Sequence, residues 1–152
     1  AEQLLLQCAL TLSDTLNPEI AIRYAVKNFL TDLPDQLQWV DGSGLSRFNL
    51  FTPRSIVALW KKLMTVVPQE RLFQLLPVGG KRGTLKNGYK AEVPYLYGKT
   101  GSLSNNHCVS GFLITKKKRV LVFSLMHNNF IVPGNAVRKQ MQVILEKMRD
   151  RY

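Results

Sequence analysis

The sequence predicts an α+β fold in which an antiparallel sheet is flanked by helices. Three observations carry this. The first half contains two capping pairs, Asn17-Pro18 and Thr52-Pro53, each followed by apolar residues at helical spacing. The C-terminal third holds three short apolar runs of strand length: Tyr95 to Gly101, Cys108 to Thr115 and Val120 to His127. A helical stripe closes the chain. With 152 residues there is enough sequence for one core. Hydrophobic residues at 45% and charged residues at 20% are ordinary globular usage, which excludes disorder and fibrous repeats as the main reading. Apolar stretches such as Val120 to Met126 are too short to span a bilayer.

Residues 1–12 carry Leu4, Leu5, Cys8 and Leu12 at helical spacing. A second helix starts at Asn17, which can cap; Pro18 suits the first helical position, and Glu19 meets the positive end of the dipole. Its apolar face is Ile22, Ala25, Val26 and Phe29, and it stops before Pro34. Leu37 to Val40 reads as a short strand ending at Asp41, followed by a tight Asp41-Gly42-Ser43-Gly44 turn. A third helix opens at Thr52-Pro53 with Ile56, Leu59, Trp60 and Leu63 on one face. Pro68 starts a short helical segment through Leu75, and the glycine-rich, basic residues 77–90 are loop. The second and third C-terminal strands, joined by a short basic turn, form an antiparallel hairpin. Pro133-Gly134 breaks the chain, and Val137, Met141, Ile144, Leu145 and Met148 make the core stripe of the last helix.

Lys plus Arg is 21 and Asp plus Glu is 10, a net charge of +11. Such an excess attracts polyanions: nucleic acid, anionic lipid or an acidic cell-wall polymer. The charge is dispersed over Lys61-Lys62, Lys81-Arg82, Lys116 to Arg119 and Arg138-Lys139. The Lys116 to Arg119 run reads as a solvated hairpin tip that discourages edge pairing. A basic nucleic-acid-binding module is supported by charge alone. Aromatics such as Phe112 and Phe123 sit in apolar strands, so no stacking platform is visible. Cys8 and Cys108 are the only cysteines, with no Cys-x-x-Cys pair and no Cys/His cluster at zinc spacing. They read as two buried free thiols, with a disulfide left open. No metal or cofactor is implied.

The cluster that can carry chemistry is Gly98-Lys99-Thr100-Gly101-Ser102. A phosphate-binding loop would need a further glycine at Val93, and Pro94 removes an amide nearby, so that reading fails. The alternative is the Lys-Thr-Gly element of penicillin-recognising serine enzymes. A lysine on a strand edge places a positive charge beside a nucleophile and a substrate carboxylate. The threonine hydroxyl can bind that carboxylate, the glycine leaves room for the acyl group, and the next backbone N–H, that of Ser102, can meet a developing oxyanion. Ser43 lacks the Gly-x-Ser-x-Gly nucleophile elbow and reads as a turn residue. His107 and His127 are isolated and read as satisfied strand residues.

The surroundings of the triplet extend the likeness. Val40 to Arg47 (Val-Asp-Gly-Ser-Gly-Leu-Ser-Arg), then Asn49 and Thr52-Pro53, resembles a segment of D-alanyl-D-alanine carboxypeptidases, the class C low-molecular-mass penicillin-binding proteins. Leu76 to Gly80 and Gly83 to Lys86 resemble the loop before that family's Lys-Thr-Gly strand. Lys99 to Leu103, then Ser110-Gly111-Phe112, resembles its third motif and following strand, and Phe123 to Asn129 its final strand. The resemblance covers roughly residues 1–130. It implies part of a serine β-lactamase/DD-peptidase-like domain. In the implied reaction a serine attacks the D-Ala-D-Ala bond, D-alanine leaves and water hydrolyses the acyl-enzyme, while β-lactams trap it. By the same resemblance, Lys99, Thr100 and Gly101 are catalytic and Ser102, Leu45 and Arg47 meet substrate. Arg47 either contacts the peptide stem or braces its loop. A periplasmic or otherwise extracytoplasmic location follows, because the substrate is peptidoglycan.

The family's other two motifs lie elsewhere. None of Ser13, Ser43, Ser46, Ser55, Ser102, Ser104, Ser110 and Ser124 has lysine three residues on, so Ser-x-x-Lys is missing. Ser104-Asn105-Asn106 offers Ser-x-Asn in the wrong place. In the family that motif stands before an Ala-Glu that opens a helix, and this chain opens at Ala1-Glu2 with no initiator Met. Residues 1–152 are therefore expected to be the C-terminal portion of a longer enzyme, inactive alone and partnered by the missing N-terminal part. An inactive domain kept for interaction is the alternative, alongside the nucleic-acid module.

Overall fold

The computed structural model describes residues 1–152. They divide into two compact units, Ala1–Leu59 and Trp60–Tyr152. The first contains α1 (Glu2–Leu12), α2 (Pro18–Phe29) and the first half of α3 (Pro53–Val66). Asn17 caps α2 as the sequence predicts: its Oδ1 accepts from the Glu19 N–H at 3.0 Å, with Pro18 at the helix start. The core of this unit is Leu5 and Ala9 against Ala21 and Ile22, with Trp39 half-buried beside them.

That seam corrects the expected stripe. Leu4 is 71% exposed, and Cys8, Leu12 and Phe29 are exposed too. The two alanines let α1 and α2 approach closely, so the packed line runs through Leu5 and Ala9 rather than through Leu4 and Cys8. Cys8 is thus an exposed free thiol, not a buried one.

The strand expected over Leu37 to Val40 is a single antiparallel bridge, Gln38 to Leu50. Beyond it the backbone N–H of Val40 donates to the Asn49 side chain at 2.9 Å, and the Trp39 indole donates to the Asp41 carbonyl at 2.6 Å. Side chains satisfy the backbone there, and no ladder is needed.

At the start of α3, the Asp35 carboxylate accepts from Arg54 Nε at 2.7 Å and from the Thr52 hydroxyl. These bonds, Arg54 first, hold its carboxyl down from 3.8 to about 2. A depressed carboxyl stabilises the fold fully above its unfolded value and progressively less as pH falls toward the folded one. Chemical denaturation followed from pH 4 to about pH 2 should therefore lose stability more steeply for the native chain than for Asp35→Asn. Equal slopes would remove Asp35 from the acid response.

The second unit holds the rest of α3, α4 (Gln69–Leu75), a 3-10 turn (Gly83–Leu85), β1 (Leu96–Leu103), β2 (Asn106–Ile114), β3 (Val120–Asn128) and α5 (Gly134–Arg151). The strands form one antiparallel sheet in the order β1-β2-β3. Alternation along the strands feeds two layers. Leu96, Val109, Leu113 and Phe123 pack on Val137, Met141 and Leu145 of α5. Tyr97, Phe112 and Val122 pack on Trp60 and Leu63 of α3, Leu72 of α4 and Leu76 just after it. Phe112 is fully buried, edge-on to Trp60 at 5.4 Å. Ile144, expected in the core stripe, is 46% exposed: the buried line of α5 is the narrower Val137, Met141, Leu145 set at four-residue spacing.

The basic run forms the β2–β3 tip, with Lys118 in the left-handed region at φ 62°. The tip meets the end of α5. The Lys116 N–H donates to the Arg149 carbonyl at 2.9 Å, and Lys116 Nζ lies 3.3 Å from Asp150. Lys117 Nζ donates to the Arg151 carbonyl at 3.3 Å, so Lys116 and Lys117 face the negative end of the helix dipole. No helix is long and apolar enough to cross a membrane.

Candidate active-site strand

The Lys-Thr-Gly triplet lies in β1, an edge strand whose inner side pairs with β2. Its outer side begins covered. The Gly79 N–H donates to the Leu96 carbonyl at 2.9 Å, and the Gly98 N–H donates to the Pro77 carbonyl at 3.0 Å. In an antiparallel strand alternate residues turn their backbone groups to the same side. Thr100 and Ser102 therefore present theirs along the same outer edge, beyond the reach of residues 77–79.

Lys99 is exposed, and its ammonium donates to the Thr100 carbonyl. The Thr100 hydroxyl donates at 2.8 Å to the hydroxyl of Thr84, which lies in the 3-10 turn. That turn is set by the backbone: Gly80 and Gly83 both have positive φ, and a Cβ on Gly83 would lie 2.9 Å from the Pro77 side chain. Arg82 closes the segment onto α4, its guanidinium donating to the Phe73 and Leu76 carbonyls at 2.8 and 3.0 Å. Ser102 is exposed, and its Oγ lies 2.7 Å from Nδ1 of the buried His107. One cation, two hydroxyls and a line of backbone N–H groups along an open edge suit a carboxylate or a developing oxyanion.

Beneath the edge, Gly101 faces Cys108 of β2. A Cβ on Gly101 would lie 2.7 Å from Cys108 Sγ, so the thiol occupies the space a side chain would need. Cys108 is a free, half-buried thiol whose pKa burial pushes up, which leaves it protonated and apolar in behaviour. Gly101→Ala should cost about 2 kcal/mol by overpacking. The clash is with a side chain, so Gly101→Ala/Cys108→Ala should recover most of that loss in urea denaturation. Non-recovery would place the strain in the backbone instead.

Leu45 and Arg47 belong to the first unit, in the loop that Asp41 organises. The Asp41 carboxylate accepts from the Asn49 amide at 2.7 Å and from the N–H groups of Gly44 and Ser46, both at 2.9 Å. These bonds, Asn49 first, hold its carboxyl below the usual range. Ser43 donates to Asp41 at 3.1 Å, the turn role expected of it. Leu45 is 71% exposed, and Arg47 is exposed too.

Three partners escaped sequence reasoning. His107 was readable in principle: a two-residue turn at Ser104-Asn105 fixes Ser102 opposite His107. The Trp60 indole, expected only as core, donates to Ser110 Oγ at 3.0 Å on the strand facing Lys99. Thr84 carries no local signal, because its loop conformation alone brings it to Thr100.

The profile of the D-Ala-D-Ala carboxypeptidase 3 (S13) family matches residues 25–151. Carboxypeptidase DacB of Mycolicibacterium smegmatis is 35% identical over 114 residues, which is 70% of this chain and 25% of that protein. Penicillin-sensitive carboxypeptidase A of Dictyostelium discoideum is 32% identical over 100 residues, 59% of this chain and 19% of that protein. The chain spans a quarter or less of the length of these relatives. Penicillin binding protein 4 (dacB) of Haemophilus influenzae, solved with a bound β-lactam, aligns with a TM-score of 0.78 at 19% identity, over 97% of this chain and 36% of that one. The helices and the three-stranded antiparallel sheet described above are shared with that structure.

Proposed function

The chain belongs to the D-Ala-D-Ala carboxypeptidase 3 (S13) family, and from that premise we propose that it supplies the Lys-Thr-Gly wall of a serine DD-carboxypeptidase. Residues 1–152 form the C-terminal portion of the catalytic domain, and the nucleophile and its base lie in sequence beyond them. The enzyme acts on peptidoglycan peptides outside the cytoplasm, as a carboxypeptidase and, by the same chemistry, an endopeptidase. Its serine attacks the carbonyl of the penultimate D-alanine, the C–N bond breaks and the amine takes a proton, and water then hydrolyses the ester. Lys99 faces the substrate carboxylate and the serine, Thr100 binds that carboxylate, Gly101 leaves space for the acyl group, and the Ser102 N–H meets the oxyanion. Leu45 and Arg47 line the peptide side. The single observation that supports this most is the open edge of β1. There Lys99, Thr100 and Ser102 stand in sequence on a strand within the family match.

Intact mass spectrometry after incubation with a penicillin tests the reading. The full-length enzyme should gain one penicilloyl adduct and the 152-residue chain none. An adduct on the chain would make one of its own serines the nucleophile and overturn the motif assignment. No adduct on either would favour a domain retained for interaction.

A further inference from the structure

Ser102 and His107 face each other across β1 and β2, with Oγ 2.7 Å from Nδ1. Their environments differ. Ser102 is exposed on the open edge, whereas His107 is only 7% exposed. The hydroxyl is thus anchored from inside the sheet, at the residue whose N–H closes the proposed oxyanion side. A short bond to a buried imidazole fixes both the Ser102 rotamer and the direction of its O–H.

We propose that His107 is a positioning residue for Ser102: its neutral, Nε2-protonated ring accepts a hydrogen bond from the Ser102 hydroxyl at Nδ1, and protonation of Nδ1 reverses that bond. In the reversed state Nδ1–H donates to Oγ, and the freed hydroxyl proton turns outward over the edge. His107 therefore sets what the edge presents at Ser102. The catalytic consequence rests on the reading of β1 given above; the coupling itself does not.

The groups that share this face with His107 are Ser102 on β1, His127 directly across on β3, and Arg138 on α5. Burial first, then the charge of Arg138, pushes the imidazole below its ordinary 6.5. The ring is accordingly neutral at neutral pH, and the reversal belongs below that ordinary value.

Nitrogen-15 NMR of the 152-residue chain tests the coupling directly. At neutral pH the His107 ring should show protonated Nε2 and bare Nδ1. On acidification the Ser102 amide resonance should move with the same midpoint as the ring. His107→Gln should abolish that movement, and His127→Asn should leave it in place. A protonated Nδ1 at neutral pH, a Ser102 amide indifferent to the ring's titration, or loss of the effect in His127→Asn would each overturn the proposal. The native chain alone decides the first two, whatever the variants do.

In the full-length enzyme, His107→Gln should slow penicillin acylation about fivefold, the effect of one ordinary hydrogen bond, and remove the acid limb that follows His107. An acylated enzyme with an unchanged pH profile in His107→Gln would refute positioning. An enzyme that penicillin does not acylate would refute the reading of the site, leaving the coupling to be judged by the NMR titration.

Discussion

Lys99→Ala in the full-length enzyme should slow acylation by penicillin about a hundred- to a thousand-fold, the loss seen when one preorganised electrostatic group is removed from an acyl-transfer site. The substitution should leave the fold alone. Lys99 is exposed, and its ammonium donates only to the carbonyl of its own neighbour, Thr100. Exposed substitutions of this kind stay within about 0.5 kcal/mol. Lys99→Arg separates charge from shape: it keeps the charge but replaces a compact ammonium with a planar fork. A partial rescue by arginine would show that the field at the strand edge matters, and no rescue that the point charge must reach one place. Near-native acylation by Lys99→Ala, with thermal stability also unchanged, would sink the assignment of this strand.

How far the sequence carried the argument depends on the range of the interactions. Asn17-Pro18 is legible because a cap bonds two residues away. The three strands and the hairpin tip at Lys116 to Arg119 are legible because alternation and turn chemistry are local. The expected strand at Leu37 to Val40 was not, because Asn49, nine residues from Val40, takes the backbone proton a ladder would have taken. Cys8 and Leu4 were misplaced for a related reason. Helical spacing identifies an apolar stripe, but the small Ala9 and Ala21 decide where two helices touch. In the candidate site, Lys99, Thr100 and Ser102 could be singled out from the motif, whereas Thr84 could not. Its hydroxyl reaches Thr100 through a loop conformation that no spacing rule encodes.

Gly111→Ala should be the most damaging small substitution in the second unit, costing about 4 kcal/mol, at the upper end of what single changes do. Gly111 sits opposite Gly98 in the β1–β2 ladder, with φ 147°. A Cβ there would lie 2.2 Å from the Tyr97 carbonyl oxygen and 2.7 Å from Gly98 Cα. Both obstacles are backbone, so no side chain can swing aside as Cys108 can for Gly101. Relief requires β1 to leave β2, and β1 carries Lys99, Thr100 and Ser102. The facing glycine is constrained as well, though less, since a Cβ on Gly98 would lie 2.8 Å from the Ser110 carbonyl oxygen. Gly44→Ala is the control: φ is 74° and nothing lies within 4 Å of its would-be Cβ. Only backbone strain remains there, about 1–2 kcal/mol. Urea denaturation and amide hydrogen exchange in β1 and β2 read the difference. Gly111→Ala should lose protection across both strands, and full-length enzyme carrying it should lose acylation as well. If Gly111→Ala were no worse than Gly44→Ala, the close approach of β1 and β2 that holds the Lys-Thr-Gly edge in place would be wrong.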